Sequence, residues 1–565
     1  MKIVRRSHVP DEHLALTVSD PLLRQLLARR GVNNADDLNC EIGRMLHYRD
    51  LKDIDRAASV LADALQNDEH IMIAGDYDVD GLTGTALGVR CLKAMGADMV
   101  DYYVPSRYEG GYGLTSEVVE AAAARGVALI VTVDNGISCD EAAQTARSLG
   151  VKLVITDHHE PLTKLPDALA VVDPKRCDDT FASKNLCGAG VLFYVLIALR
   201  AELRSRGYFS DRPEPVLSEY LDLVAFGTIG DVVPLDVNNR RLVRAGMRRI
   251  NRGLGHMGIR TLIENCRLKE REVRVQNISF ELCPRLNAAG RIKLTDNPAI
   301  KLLLCDDHQE ACELAVQLDM CNRRRGDFER VALAQAQDDA KAQENSAAIT
   351  LYRPQWLSGI AGLIAGRIKE QYHVPCIVFT GNEDVIQGSA RSVKGISLAK
   401  ILNRINEEHP GMLRRFGGHA MAAGAALDKS RLDEFTELFD KAATATAENG
   451  CDDEIITDGE LPPDHASITF ARDLEEHGPW GNGFPEPWFD GEFTIGSVNI
   501  LGNRHLRLGL YADSGLRLNA IRFRASPNEK ALTEGVKVKV VYALGIDRYY
   551  SDERLEVRIE SIEPV

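Results

Sequence analysis

Three aspartates, Asp76, Asp78 and Asp80, stand at alternate positions in IMIAGDYDVDG, residues 71–81, and Gly81 follows them. Carboxylates this close repel one another unless something positive sits among them. The nearest calcium pattern, the EF-hand loop, wants D-x-D-x-D-G and a glutamate as its twelfth residue. Counted from Asp76 the twelfth residue is Leu87, so the bidentate ligand is missing. The flanks differ as well. Ile71-Met72-Ile73-Ala74 is a short apolar run that reads as a buried strand. LTGTALGVRCLKAMG, after Gly81, reads as a helix ending at Gly96. The aspartates thus fall where a strand ends and a helix begins, which is where ligands bind in open α/β sheets. Turn and N-cap duty accounts for one or two aspartates. Three point to a cation.

Three further segments repeat the theme. ALIVTVD ends at Asp134 and runs into Asn135-Gly136, a turn; KLVITD ends at Asp157, followed by His158 and His159; Asp231 in GTIGDVVPL follows the helix-like SEYLDLVAF. Singly, such residues are turns, caps or satisfied core histidines. In order, each at a strand-end or helix-start signal, they are expected to converge, because the carboxyl ends of neighbouring parallel strands share one edge. Oxygen ligands with one or two imidazoles suit Mn²⁺ or Mg²⁺, and Zn²⁺ less well since no cysteine takes part.

The elements that would position them can be read along the chain. Residues 46–200 alternate the apolar runs IMIAG, ALIVTVD, KLVITD and ALAVVD with helix-like segments such as CDEAAQTARSLG. That alternation predicts a parallel sheet with helices on its faces. Residues 306–343 read as one long, mostly polar helix bridging two domains. Residues 347–445 return to α/β patterning through AAITLY, a helix over GLIAGRIKEQY, and CIVFT. From about residue 452, EFTIGSVNI, HLRLGLY, LRLNAIRFRA, VKVKVVYAL and LEVRIESIE are short alternating strands that fit a small barrel of the OB kind. The fold class expected is therefore two α/β domains joined by a long helix, plus a C-terminal all-β barrel. The boundaries read as an N-terminal helical segment 1–45, a first α/β domain 46–305, the helix 306–343, a smaller α/β domain 344–447, and the barrel 452–565.

Composition bounds the function. The 565 residues are 45% apolar and 27% charged, ordinary globular usage for three or four domains. No run approaches the roughly 20 apolar residues that span a bilayer. MKIVRRSHVPDEH has no apolar core of a secretory signal. The 12 cysteines are scattered without CxxC pairs, as expected of reduced thiols in a cytoplasmic protein. A formal net charge of −15 argues against coating the whole surface with nucleic acid, while allowing a local basic channel.

DYDVDG, VDNG, DHH and GTIGDVVPL, in this order, resemble the four motifs of the DHH phosphoesterases. RRFGGHAMAAG at 414–424 resembles the glycine-rich signature of the domain that partners them, DHHA1. PSRYEGGYGL (105–114), PRLNAAGRI (284–292), GSARS (388–392) and GPWGNGFPEPWFDG (478–491) are similar to segments of the family's branch of single-strand-specific 5′→3′ exonucleases. The likeness runs from about residue 14 to the C-terminus. Two positions depart from it. Leu357 and Ser358 follow Trp356 where histidine often does, and Ala390 stands where glycine is frequent.

The resemblance implies two divalent cations, Mn²⁺ or Mg²⁺. Asp76, Asp78 and Asp134 would bind one, and Asp80, Asp134, His158 and Asp231 the other. His159 would contact phosphate or support a ligand, and Asp157 would orient a histidine. Arg107, Arg285, Arg291, Arg391 and Ser389 are the implied phosphate-binding residues, with Arg107 and the Ser389–Arg391 segment near the 5′ phosphate. Gly417, Gly418 and His419 would let backbone approach the strand closely. Tyr108 and Tyr112 would stack on bases or simply pack. The basic runs at 240–252 and 322–330 would line a channel or form solvated helix faces. The implied function is hydrolysis of single-stranded DNA from its 5′ end to mononucleotides, in recombination and in mismatch or base-excision repair. The implied partners are the single-strand-binding protein and a RecQ-type helicase, with no membrane and a monomeric state. Two alternatives are a phosphodiesterase on short oligonucleotides or cyclic dinucleotides, and a replication scaffold without catalysis. The barrel and long helix argue against the first, and the full ligand set against the second.

Overall fold

The computed structural model describes residues 2–106, 113–161, 164–268, 272–294, 296–446, 454–502, 504–548 and 553–565. The first 45 residues, expected to be helical, open with a strand, β1 (Lys2–Arg5), before a helix at Pro21–Ala28. The strand exists because it has a distant partner at Glu454–Thr457.

The first α/β domain is built on five parallel strands, β2 (Ile71–Ala74), β3 (Val100–Tyr103), β4 (Leu129–Val133), β5 (Lys152–Thr156) and β6 (Ala170–Val172), in the order β3-β2-β4-β5-β6. β2, β4 and β6 are buried throughout. Their continuous apolar runs are what a sheet covered on both faces requires. β3 has no apolar run, since it is a half-exposed edge. The connection from β2 leads to β3 on one side and the connection from β4 leads to β5 on the other. The crevice between the carboxyl ends of β2 and β4 is therefore the topological switch point of the sheet.

The helix His308–Ala340 carries two separate buried stripes. Ala311, Leu314, Ala315 and Leu318 pack into the core of the first domain, and Ala332, Ala336 and Ala340 into that of the second. The second domain has the sheet order β10-β11-β9-β8-β7, from β7 (Ile349–Tyr352), β8 (Cys376–Thr380), β9 (Val385–Arg391), β10 (Arg415–Gly418) and β11 (Ala422–Asp428). β7 and β8 are parallel, and the other pairings are antiparallel.

The C-terminal strands β13 (Phe489–Leu501), β14 (His505–Tyr511), β15 (Arg517–Arg522), β16 (Lys537–Asp547) and β17 (Arg554–Pro564) close into a barrel. The segment leading into it lies on the first domain. There β12 (Glu454–Thr457) pairs in parallel with β1, and Arg30 and Asp458, both fully buried, form an ion pair at 2.7 Å. Arg5 holds Asp490, at the start of the barrel, at 2.7 Å. Among the described residues no helix is long and apolar enough to cross a membrane.

Candidate metal centre

Asp76 follows β2 and Asp134 follows β4, on either side of the switch point. Asp134 takes a left-handed backbone, φ 62°. This turns the chain into Asn135, whose side-chain amide donates to the carbonyls of Ala74 at 3.0 Å and Val133 at 2.9 Å. The helix expected after Gly81 starts earlier, at Val79, because Asp78 caps it by accepting the N–H groups of Asp80 at 3.1 Å and Gly81 at 3.3 Å. The Val79 N–H goes to the Asn287 side chain at 3.0 Å, which gives PRLNAAGRI a positioning task.

Asp80 lies in the first turn of that helix. It accepts N–H groups of Gly188 at 2.5 Å and Ala189 at 2.9 Å, at the start of the helix Gly188–Ser205. Two glycines make room for this packing. A Cβ at Gly188 would lie 2.5 Å from the Asp134 Cβ, and one at Gly227 would lie 2.6 Å from Asp80 Oδ1. Asp231 was expected at a strand end or helix start. It instead caps the C-terminus of the helix Leu221–Gly230, because GTIG continues the apolar helix up to it.

His158 sits at the middle of the group. Its Nε2 is 2.9 Å from Asp134 Oδ1, 3.6 Å from Asp231 Oδ2 and 3.7 Å from Asp80 Oδ2. Three sets can each bring one ligand atom per residue within 4.8 Å of the others: Asp76 with Asp78 and Asp134, Asp80 with His158 and Asp231, and Asp134 with His158 and His159. Sequence-expected ligands from four separate segments thus meet.

The electrostatics are lopsided. Burial, then Asp78, raises the Asp80 carboxyl to about 6. Burial, then Asp80 and Asp78, raises Asp231 to about 8. Burial, then all four neighbouring aspartates, pushes Asp134 well above the usual range. Burial lowers His158 to about 3, so its imidazole is neutral with a free lone pair. Asp157 behaves differently. Burial works to raise it, but His159, His158 and the Ile137 N–H together hold it low. It accepts His159 Nδ1 at 2.7 Å. Burial opposes the charge on His159, and Asp157 outweighs it, raising His159 to about 9. Among the described residues the ion-pair partners of Asp80, Asp134 and Asp231 are these two histidines alone. The buried Nδ1 of His158 has no hydrogen-bond partner. Crowded carboxylate oxygens around one neutral imidazole, with almost no positive charge to offset them, fit hard divalent cations.

A cleft of about 1400 Å³ has walls from the first domain, the long helix, the second domain and the barrel, and Asn287, which accepts the Val79 N–H between Asp78 and Asp80, is one of its lining residues. Arg291, Arg325, Arg367, Arg391, Arg522 and Arg558 line it. Arg291 donates to the Gly359 carbonyl at 2.9 Å, and Arg391, on β9, to the Ala390 carbonyl at 2.8 Å. Ser389 shares a strand face with Arg391. Gly418 has φ 132°, and the charge of His419 is felt at His158. Arg285 is held by Asp319 at 3.0 Å and does not line the cleft. Arg107, Tyr108 and Tyr112 lie outside the described residues. Of the basic runs, 322–330 contributes Arg325 to the cleft, whereas Arg240 and Arg241 are buried and bind carbonyls near residues 36–44. Sequence reading missed Phe280 and Phe523, 77% and 45% exposed in this cleft. It also missed the Gly188–Ala189 backbone, which the glycines of CGAG before an apolar run could have signalled.

This arrangement agrees with known proteins. Residues 70–228 match the family model of the DHH N-terminal domain, 327–445 that of the DHHA1 domain, and 457–561 that of the RecJ OB domain. The single-stranded-DNA-specific exonuclease RecJ of Escherichia coli is 40% identical over 96% of both chains. That of Bacillus subtilis is 30% identical over 96% of this chain and 67% of its own. The crystal structure of RecJ in complex with Mn²⁺ from Thermus thermophilus superposes with a TM-score of 0.82 at 31% identity, covering 100% of this chain and 80% of that one. A second RecJ structure from that organism is a complex with Mg²⁺, with a TM-score of 0.76 at 29% identity over 100% of this chain and 78% of its own. The fold is that of a DHH phosphoesterase with its DHHA1 and OB companions, and the chain belongs to the RecJ family within that class.

Proposed function

We propose that the chain is a metal-dependent exonuclease that degrades single-stranded DNA from the 5′ end to mononucleotides. One observation carries this reading: Asn287, which holds the turn between Asp78 and Asp80 in the acidic centre, also lines an arginine-rich cleft to which the first domain, the long helix, the second domain and the barrel contribute. Its relatives are named single-stranded-DNA-specific exonucleases. Asp76, Asp78 and Asp134 would hold one divalent cation, and Asp80, Asp134, His158 and Asp231 a second, Mn²⁺ or Mg²⁺. Held there, two cations would supply an activated water at neutral pH and offset charge at the phosphate under attack.

The chain's own groups do the rest. Neutral His158 offers a lone pair among the carboxylates. His159, held cationic by Asp157 and one-third exposed, can donate to a phosphate oxygen. Arg291 and Arg391 have the fork geometry that binds phosphates bidentately. With Ser389 beside Arg391, the end of β9 is suited to a terminal 5′ phosphate, which would set the polarity. Exposed Phe280 and Phe523 can stack on bases whatever the sequence.

By family, the role is end resection in recombination and repair, in the cytoplasm, as a monomer working with the single-strand-binding protein and a RecQ-type helicase. The reading is tested by digesting long single-stranded DNA with Mn²⁺, labelled at the 5′ or the 3′ end, with duplex as control. Early release of mononucleotide from the 5′ label alone, with duplex intact, is expected. Hydrolysis confined to dinucleotides would move the chain to the small-substrate branch, and no hydrolysis at all would make it a scaffold.

A further inference from the structure

The turn behind Asp231 is strained. Val232 follows the helix cap with φ 60°, the left-handed conformation that glycine or asparagine ordinarily takes at this position. A β-branched residue there is an outlier. Its side chain is 61% exposed, so packing does not hold it. Its own N–H reaches the Ile229 carbonyl at 3.3 Å, and a shorter hold comes from a residue 250 positions away. Asn482 Nδ2 donates to the Val232 carbonyl at 2.8 Å, and the Leu235 N–H donates to the Asn482 carbonyl at 2.7 Å. The flanking glycines fit the same turn. A Cβ at Gly483 would lie 3.0 Å from the Pro234 Cβ, and one at Gly481 would lie 2.7 Å from Leu235 Cδ1. Both ends of the loop are anchored, by Trp480 stacked on Phe484 at 4.8 Å and by the Arg240 guanidinium 4.0 Å from the Phe484 ring centre. This contact uses the GNGF of GPWGNGFPEPWFDG, which the chemistry above leaves without a task.

We propose that Asn482 is a positioning residue for Asp231: from the segment that precedes the barrel it clamps the left-handed turn at Val232, and so keeps the Asp231 carboxylate aimed at His158 and Asp80. Through this contact the C-terminal part of the chain completes a centre built in the first domain. The inference rests on the reading of Asp231 as a metal ligand.

The test is Mn²⁺ binding to the metal-free full chain, followed by titration calorimetry and by electron paramagnetic resonance. N482A is expected to weaken one Mn²⁺ site about tenfold and leave the other unchanged, as losses of groups behind a metal ligand do. N482D keeps the side-chain shape, reverses the donor and should weaken the same site. V232G alone should bind as wild type. N482A/V232G should recover, because glycine holds a left-handed turn unaided. A purely structural role for Asn482 would not be rescued this way. Melting curves verify that each variant is folded, and if N482A is not, N482D alone and with V232G carries the comparison. Wild-type binding in N482A and N482D, or a double variant as weak as the single Asn482 variant, would overturn the proposal. D231N separates the two readings: if it loses one ion while Asn482 proves dispensable, only this inference fails, and if it keeps both ions the ligand assignment falls with it.

Discussion

In the metal centre, Asp80, Asp134 and Asp231 press against one another with one neutral imidazole and one imidazolium for company. In the arginine-lined cleft, Arg325, Arg367, Arg522 and Arg558 each have a glutamate at ion-pair distance: Glu329 at 2.7 Å, Glu370 at 3.1 Å, Glu529 at 2.9 Å and Glu486 at 2.6 Å. One region is uncompensated, the other compensated. The difference suggests separate tasks. Uncompensated carboxylates bind cations strongly. Arginines that already have partners bind phosphates by exchange, at a modest gain per contact, which suits a strand that must advance after each cut. It also shows how a chain of net charge −15 can handle DNA.

The comparison breaks first if the centre tolerates losing a carboxylate. D134N should reduce hydrolysis by about a thousandfold or more, since several kcal/mol of charge stabilisation depend on it. In the metal-free protein the same change should raise the melting temperature, because it removes a buried repelling charge. Activity assays with excess Mn²⁺ and melting with a chelator check both halves.

A second expectation concerns pH. Folded Asp80 titrates near 6 and Asp231 near 8, against roughly 4 when unfolded. The folded state therefore binds more protons between those values. Its stability contribution is complete below about pH 4 and is lost as pH rises through 6 and 8. Melting of the chelated protein from pH 5 to 8 should show this decline, D231N should flatten it, and Mn²⁺ should reverse it.

In the cleft the effects shrink. R391A should raise KM for single-stranded DNA about tenfold with little change in kcat, and should lower the salt dependence of binding by about one phosphate contact. A steady-state series across salt concentrations measures both. The smallest effect sharpens the contrast. E370Q removes an exposed glutamate from Arg367 and should tighten DNA binding by about twofold, as the worth of an exposed pair allows. An equal gain from D231N would erase the distinction between the regions.

How much was legible in the sequence follows the same division. The ligands of the centre lie on short segments whose aspartates and histidines are visible one by one, and apolar runs mark the strands before Asp76, Asp134 and Asp157. Asp231 was found in the sequence, but its setting was misread, because the glycines of GTIG read as the end of the helix, whereas the helix runs through them to the aspartate. The edge strand β3 was missed since its VDYY is half exposed. Strands β9, β10 and β11 were missed because they are rich in glycine and alanine, which single-strand propensity disfavours; their pairing is decided by neighbours. The backbone donors at Gly188 and Ala189, and the clamp at Asn482, join segments far apart in sequence. No local pattern states such contacts, although glycines flank both.

The proposed two-cation centre depends most directly on Asp134, the group both sites would share. Titration of Mn²⁺ into metal-free wild type and D134N, counting bound ions per chain, measures this. Two ions in the wild type and a loss at both sites in D134N are the predicted result. D134N that still binds two ions with wild-type affinity would contradict it.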